Sequence, residues 1–302
     1  MVGWEAEDNL AKRANIVFES KEIEDWINAK PPANKDPKKL SLCTGIWGFA
    51  GSTKTGIALD CRTPQEVKDG VQLVVFDLDK GCKDLVWQYH KSDPNIKLLD
   101  PVVHDENMSI DYEATFYKMK AAATYYKNNI SKMKVKAIIL DGADKFLKMC
   151  EYSTKEDANV GVADDMKWKY WGERNRKFTD VLEVLKGIPV DLYVIAHAKM
   201  DDEAGEAVPN WLHTNTAKTE DMFSQIIKCD KEVIADFATK ETTMKATIVK
   251  CRTNLGLEGK VYTVAKVLHD AEDKTTTIWK GLQMRQEEVD GVRSLTIKQR
   301  KG

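Results

Sequence analysis

No apolar run in this chain approaches the roughly 20 residues that a membrane-spanning helix requires, so the sequence offers no candidate span. The first residues, with Glu5, Glu7 and Asp8 close to Met1, lack the basic-then-apolar pattern of a secretory signal. No CxxC pair occurs among the six cysteines, Cys43, Cys61, Cys82, Cys150, Cys229 and Cys251. That removes the usual spacing of a zinc site or redox motif and leaves reduced, mostly buried thiols as the expectation. An excess of one charge is missing as well. A formal net charge of −2 gives no global attraction to nucleic acid, so such binding would need a local basic surface or loops arranged by an oligomer. There is no internal repeat. These absences point to a cytoplasmic protein, and 302 residues with 42% hydrophobic content suffice for one large α/β domain with additions or for two small ones.

What is present begins with Gly48-Phe49-Ala50-Gly51-Ser52-Thr53-Lys54-Thr55-Gly56, a glycine-rich stretch after an apolar run and before Ile57-Ala58-Leu59. In a phosphate-binding loop, glycines let successive backbone N–H groups turn inward, the lysine reaches the terminal phosphates of a nucleoside triphosphate, and the next hydroxyl ligates Mg²⁺. Gly48, Gly51, Lys54 and Thr55 stand where that chemistry needs them. Thr53 replaces the glycine expected before the lysine, and a β-branched residue tolerates positive φ poorly. The plainer alternative is a Gly/Ser/Thr turn that joins a strand to a helix.

Residues 1–40 read as a polar leader and linker, with a helical patch near Ile23 to Ala29 and a Pro-, Lys- and Asn-rich stretch from Pro31 to Lys39. The apolar residues Trp4, Ile23, Trp26 and Ile27 make an oligomerisation anchor one reading and packing onto the same subunit the other. A core spans 41–270. There, apolar runs ending near Trp47, Phe76, Asp141 and His197 alternate with helical segments, of which the longest cover about Asp111 to Asn129 and Asp164 to Lys186. Such alternation implies a parallel sheet with crossover helices. A long loop from Asp201 precedes a helix expected near Thr219, and the last third reads as antiparallel strands. Residues 271–302 are a final strand and a mildly basic tail.

Several strand ends carry polar groups. Asp141 follows four apolar residues, and a carboxylate there lies beside the glycine loop, placed to hold Mg²⁺ through water, although strands also end in Asp for turn reasons. Asp77 and Asp79 cap another strand, and alternation sends both to one side; one of them polarises an attacking water, or both serve the turn. His197 is either a phosphate sensor or a satisfied strand-end histidine. Lys250 and Arg252 project together from a late strand, as a clamp on a phosphate bound by a neighbouring subunit or as a solvated end. Trp168, Tyr170 and Trp171 on a helix read as core or interface rather than base-stacking platforms.

Taken in order, the glycine loop, the strand end at Phe76 to Asp79, Asp141, a helix, His197 and Lys250-Cys251-Arg252 resemble the RecA-like branch of P-loop ATPases. Within that branch they are most similar to phage-type RecA-like proteins, a phage nucleotide-binding AAA-domain family that assists single-strand annealing and recombination. The likeness covers about residues 42 to 267, and its most specific stretch is Tyr170-Trp171-Gly172-Glu173 leading through Ile188-Pro189-Val190 to Ala196-His197-Ala198-Lys199. The resemblance implies an α/β RecA-like core, with a mainly parallel sheet flanked by helices and antiparallel C-terminal strands. It implies ATP and Mg²⁺ as cofactors, with Lys54 and Thr55 as phosphate and Mg²⁺ ligands, Asp141 as the second-motif acid and Asp79 in place of the usual catalytic glutamate. His197 would switch between nucleotide and DNA loops, and Lys250 and Arg252 would act across a subunit interface of a filament or ring. The function implied is ATP hydrolysis coupled to single-stranded DNA in recombination or annealing, in a phage or its prokaryotic host.

Two departures bear on that function. Thr53 and the short Asp79 favour nucleotide binding over fast hydrolysis. The loops expected to face DNA, Glu151 to Ala163 and Asp201 to Lys218, are acidic, which argues against direct DNA binding by a lone subunit, whereas Lys199, His213 and Lys218 would line a filament groove if protomers stack. A nucleotide-gated assembly or regulatory protein is therefore one alternative, and a replicative helicase or helicase loader another.

Overall fold

A computed structural model describes residues 41–161, 163–201, 205–211, 219–235, 239–252, 255–270 and 276–277. The leader at 1–40 with Trp4, Ile23, Trp26 and Ile27, His213 and Lys218, and the tail apart from Thr276 and Thr277 lie outside these residues.

The runs with the most β-branched and apolar side chains form the centre of a sheet. β1 is Cys43–Gly48, β2 Gln72–Asp77, β3 Ile96–Leu99, β4 Val135–Asp141 and β5 Asp191–Met200. A short β6 (Ala207–Pro209) folds back antiparallel on β5, and the later strands are β7 (Gln225–Ala235), β8 (Thr239–Cys251), β9 (Val261–Asp270) and β10 (Thr276–Thr277). Across the sheet the order is β10-β9-β8-β7-β1-β5-β4-β2-β3. Pairing is parallel from β3 to β7 and antiparallel from β7 outward. The α/β architecture is thus a mainly parallel sheet flanked by helices with antiparallel C-terminal strands.

Alternation along the inner strands explains why both faces are covered. Val74, Phe76, Ile138 and Leu140 point into one cluster with Phe116, Met119, Phe146 and Phe178. Their neighbours Leu73, Val75, Ala137 and Ile139 point into the opposite cluster, with Ile57, Val86 and Ile248. A strand buried on both faces must read as a continuous apolar run, and these do. The first cluster is roofed by three helices, α4 (Tyr112–Asn129), α5 (Ala143–Asp157) and α6 (Trp168–Lys186). The second is covered by α1 (Lys54–Leu59), α3 (Cys82–Tyr89) and residues of β8, while the short α2 (Pro64–Lys68) leads from α1 toward β2.

Local signals set the helix starts. Asp111 accepts a bond from the Ala114 N–H at 2.8 Å and so caps α4, and Thr63 with Glu66 forms a capping box before α2. Where a signal was absent, expectation and structure differ. The helix expected near Thr219 is a single 3₁₀ turn, Thr219–Met222, because β7 begins three residues later and pairs parallel to β1. The loop expected from Glu151 is helical as far as Asp157, since Phe146, Met149 and Cys150 bury α5 against the sheet. β5 does not stop at His197 but continues to Met200. Trp168 is exposed, at 86%, and Trp171 lays its ring on the Arg174 guanidinium 4.1 Å away, so neither is core. Among the described residues no helix is long and apolar enough to cross a membrane.

Candidate functional site

Parallel pairing brings the carboxyl ends of the strands to one edge. Gly48 lies in register with His197 on one side and Cys229 on the other, and Asp141 lies in register with Asp77. The glycine loop sits on this edge. A Cβ on Gly48 would come within 2.1 Å of the Cys229 carbonyl oxygen and 2.8 Å of Ser52 Oγ, so no other residue fits there without moving β7. Gly51 turns at φ 72, in the left-handed region. Thr53 does the same, at φ 66 and ψ 14, immediately before α1. The loop therefore keeps the backbone path that glycine would take, at a steric cost that Thr53 carries.

Inside the loop, Ser52 Oγ donates to the Phe49 carbonyl at 2.7 Å, and Lys54 Nζ donates to the same oxygen at 2.9 Å. Lys54 is 7% exposed, and among the described residues no carboxylate lies within ion-pair distance of it. Burial pulls its ammonium below the ordinary lysine range, opposed by Cys229 and by the more distant carboxylates of Asp141, Asp79 and Asp144. A buried ammonium with one carbonyl acceptor has donors to spare for an anionic ligand.

The next residue ties the loop to the sheet. Thr55 Oγ1 donates to Asp141 Oδ2 at 2.8 Å, which joins the loop to the end of β4. The Cys82 thiol donates to the same oxygen at 3.1 Å, and the Cys82 N–H donates to Asp77 Oδ2 at 3.2 Å. Burial pushes the Asp141 carboxyl up to about 6, against the bonds from Cys82 and Thr55 and with help from Asp79 and Asp77. Asp77 is raised as well, chiefly by burial, and its Oδ1 is buried without a hydrogen-bond partner. Buried carboxyl groups short of positive charge, beside a threonine hydroxyl, fit a hard divalent cation.

Asp77 and Asp79 do not act as a pair. β2 ends at Asp77, so alternation stops there; Asp77 turns in toward Cys82 and Asp141, whereas Asp79 turns to another set of partners. Asp79 Oδ1 lies 2.8 Å from Lys145 Nζ, and Asp79 Oδ2 lies 3.7 Å from His197 Nδ1. His197 is held more closely by Asp144, which accepts from its backbone N–H at 3.1 Å and faces its ring Nδ1 at 3.2 Å. Gly142 makes this possible: at φ 97 it turns the chain from β4 into α5, and a Cβ there would press on Asp79 Oδ1 at 3.1 Å.

These residues enclose an open pocket of about 510 Å³, whose wall includes Ala50 to Gly56, Asp79, Asp141, Lys145 and His197. Leu85 and Tyr89 of α3 and Met244 of β8 close it with apolar surface. Lys145, Asp144, Cys82 and these apolar residues escaped the sequence reading. Only the Asp-Gly-Ala-Asp-Lys run after the apolar strand gives a signal, since it places Asp144 and Lys145 in the first turn of the helix that leaves the same sheet edge.

Lys250 and Arg252 are elsewhere. β8 runs antiparallel, so Lys250 pairs with Ile226 near the start of β7, at the amino edge of the parallel strands, and Arg252 follows beyond it. Lys250 Nζ donates to the Glu220 carbonyl, and burial with the neighbouring Arg252 pulls its ammonium down. Arg252 is exposed beside a small hollow formed with Ser224, Lys186 and Met222. In the second of the two loops expected to face DNA, β6 returns onto β5, and Trp211 is 2% exposed, packed on Phe223.

A protein-family model described as an AAA domain matches residues 41–266. Among solved structures, a KaiC-like protein from the hyperthermophilic archaeon Pyrococcus horikoshii is similar over 76% of this chain and 85% of its own, at 13% identity and a TM-score of 0.44. No curated protein sequence matches.

Proposed function

This chain belongs to the AAA-domain family, and from that premise we propose that it binds and hydrolyses ATP with Mg²⁺ and couples the nucleotide state to single-stranded DNA in recombination or annealing. The observation that carries the nucleotide part is the buried Lys54, with no carboxylate within ion-pair distance among the described residues, in a glycine loop whose next residue, Thr55, is bonded to Asp141. In this reading the loop N–H groups and Lys54 bind the phosphates, and Thr55 with Asp141 holds the cation, which when bound withdraws charge from the phosphate oxygens. Asp79 orients a water for attack on the γ-phosphorus. The new P–O bond forms as the bond to the β-phosphate oxygen breaks, and the water's proton passes to Asp79 or to the phosphate. Products are ADP and inorganic phosphate. His197, tethered to Asp144 and Asp79 at the base of the β5–β6 hairpin, passes the state of the site to that hairpin. Lys250 and Arg252 stand at the far edge of their own sheet, which supports an action in trans on a neighbouring subunit of a filament or ring.

A second reading has its own observation. The left-handed Thr53 sits where backbone N–H groups must meet phosphate, which suits a protein that holds nucleotide to control assembly and turns it over slowly.

The test is ATP hydrolysis by the purified chain with and without single-stranded DNA, beside Lys54→Ala. We expect stimulation by DNA and a loss of at least about a hundredfold in the variant. ATP binding without hydrolysis or response to DNA selects the assembly reading. No nucleotide binding at all removes both.

A further inference from the structure

Lys145 lies in the first turn of α5, where an unpaired cation is unfavourable because the positive end of the helix dipole is there. Nothing in the packing of α5 asks for it: its side chain is 48% exposed and points into the pocket that holds Lys54 and Thr55. Its partner is Asp79, at 2.8 Å, the carboxylate placed to orient the attacking water. Asp79 has a second neighbour in His197, whose Nδ1 lies 3.7 Å from Oδ2, so it does not depend on Lys145 alone. Lys54 and Lys145 are the lysines of the pocket wall among the described residues, and His197 stands beside them. Lys54 is fixed on the Phe49 carbonyl and His197 on Asp144, which leaves Lys145, with its long flexible stem, as the cation able to change partner.

We propose that Lys145 is the residue that tells a nucleoside triphosphate from a diphosphate. Without nucleotide it is latched on Asp79; a γ-phosphate, with more negative charge than one carboxylate, draws it away. Transfer of Lys145 both stabilises the triphosphate and frees Asp79 Oδ1 for water, so the site becomes competent only when the terminal phosphate is present. A diphosphate does not extend to Lys145 and leaves the latch closed. This inference rests on the nucleotide reading of the site above.

The experiment measures equilibrium binding of ADP and of a non-hydrolysable ATP analogue, both with Mg²⁺, to the full chain and to Lys145→Gln, Lys145→Arg and Asp79→Asn. Removing the Lys145 charge should weaken the ATP analogue by about tenfold and leave ADP within about twofold, and arginine should restore most of the difference. Asp79→Asn should act in the opposite direction, tightening the ATP analogue by a few fold because Lys145 no longer has to leave a carboxylate. Thermal melting of each variant identifies loss of fold, and Asp79→Asn tests the latch without altering Lys145. Equal weakening of both nucleotides in Lys145→Gln, or no tightening in Asp79→Asn, overturns the latch while the nucleotide reading stands. Wild-type chain that binds neither nucleotide overturns both.

Discussion

At the residue scale the informative position is Thr53, where sequence and structure disagree with ordinary preference in the same way. The sequence already marked it as a departure from the glycine pattern, and the backbone there is left-handed all the same, at φ 66. A left-handed non-glycine residue costs about 1–2 kcal/mol, and glycine returns about 0.5–1 kcal/mol of that through the freedom of the unfolded chain. Thr53→Gly should therefore raise the melting temperature by about 1–3 °C and tighten nucleotide binding. A lower melting temperature would mean that the Thr53 hydroxyl bond to the Ser52 carbonyl outweighs the strain. Loop glycines, Lys54, Thr55 and Asp141 were legible because each has a fixed place in a local pattern. Lys145 and Cys82 were not, because their meaning comes from Asp79 and Asp141, residues 66 and 59 positions away in the chain for which no local pattern speaks.

At the element scale, the helices with chemical start signals and the strands with unbroken apolar runs were readable. β4 and β5 fell where the runs of Ile, Leu and Val fell, and α4 began where Asp111 caps it. That cap gives a direct test: Asp111→Ala should cost about 1 kcal/mol, seen as a melting temperature lower by a few degrees, and Asp111→Ser should recover most of it. No change in the alanine variant would show that tertiary packing of Phe116 and Met119, rather than the cap, holds the start of α4. β7 was the hard element. Its partner on one side is β1, about 180 residues earlier, and the apolar pair Ile226 and Ile227 after a polar 3₁₀ turn looks locally like the continuation of a helix. Parallel pairing with β1, not propensity, makes it a strand.

At the scale of the whole molecule the two groups of candidate residues stand on opposite edges of one sheet. The loop, Asp141, Asp79 and His197 gather at the carboxyl edge; Lys250 and Arg252 lie at the amino edge of the same parallel strands. Spacing in the sequence gave the first grouping, since strand ends in a parallel sheet meet. It could not give the second, which depends on β8 running backward. If Arg252 acts on a neighbour's site, as proposed above, variants damaged at opposite edges should complement each other in mixtures. Lys54→Ala and Arg252→Ala are each expected to lose most ATPase activity alone, yet mixed at equal amounts they should regain about a quarter of the wild-type rate, from interfaces that pair an intact loop with an intact arginine. Activity that does not rise above the sum of the separate variants would show that Arg252 does not serve a neighbour's site.

Gly48 has no room for a side chain because its Cα rests against the carbonyl of Cys229 in the middle of β7. β7 is bound along its length to β8, which carries Lys250 near its end, with Arg252 just beyond it. The glycine loop and Lys250 thus share one strand pair: from Cys229, against Gly48, β7 runs back through a register shift at Ile226 and Ile227 to the pairing of Ile226 with Lys250, so a residue that crowds Gly48 pushes on the same strand that seats Lys250.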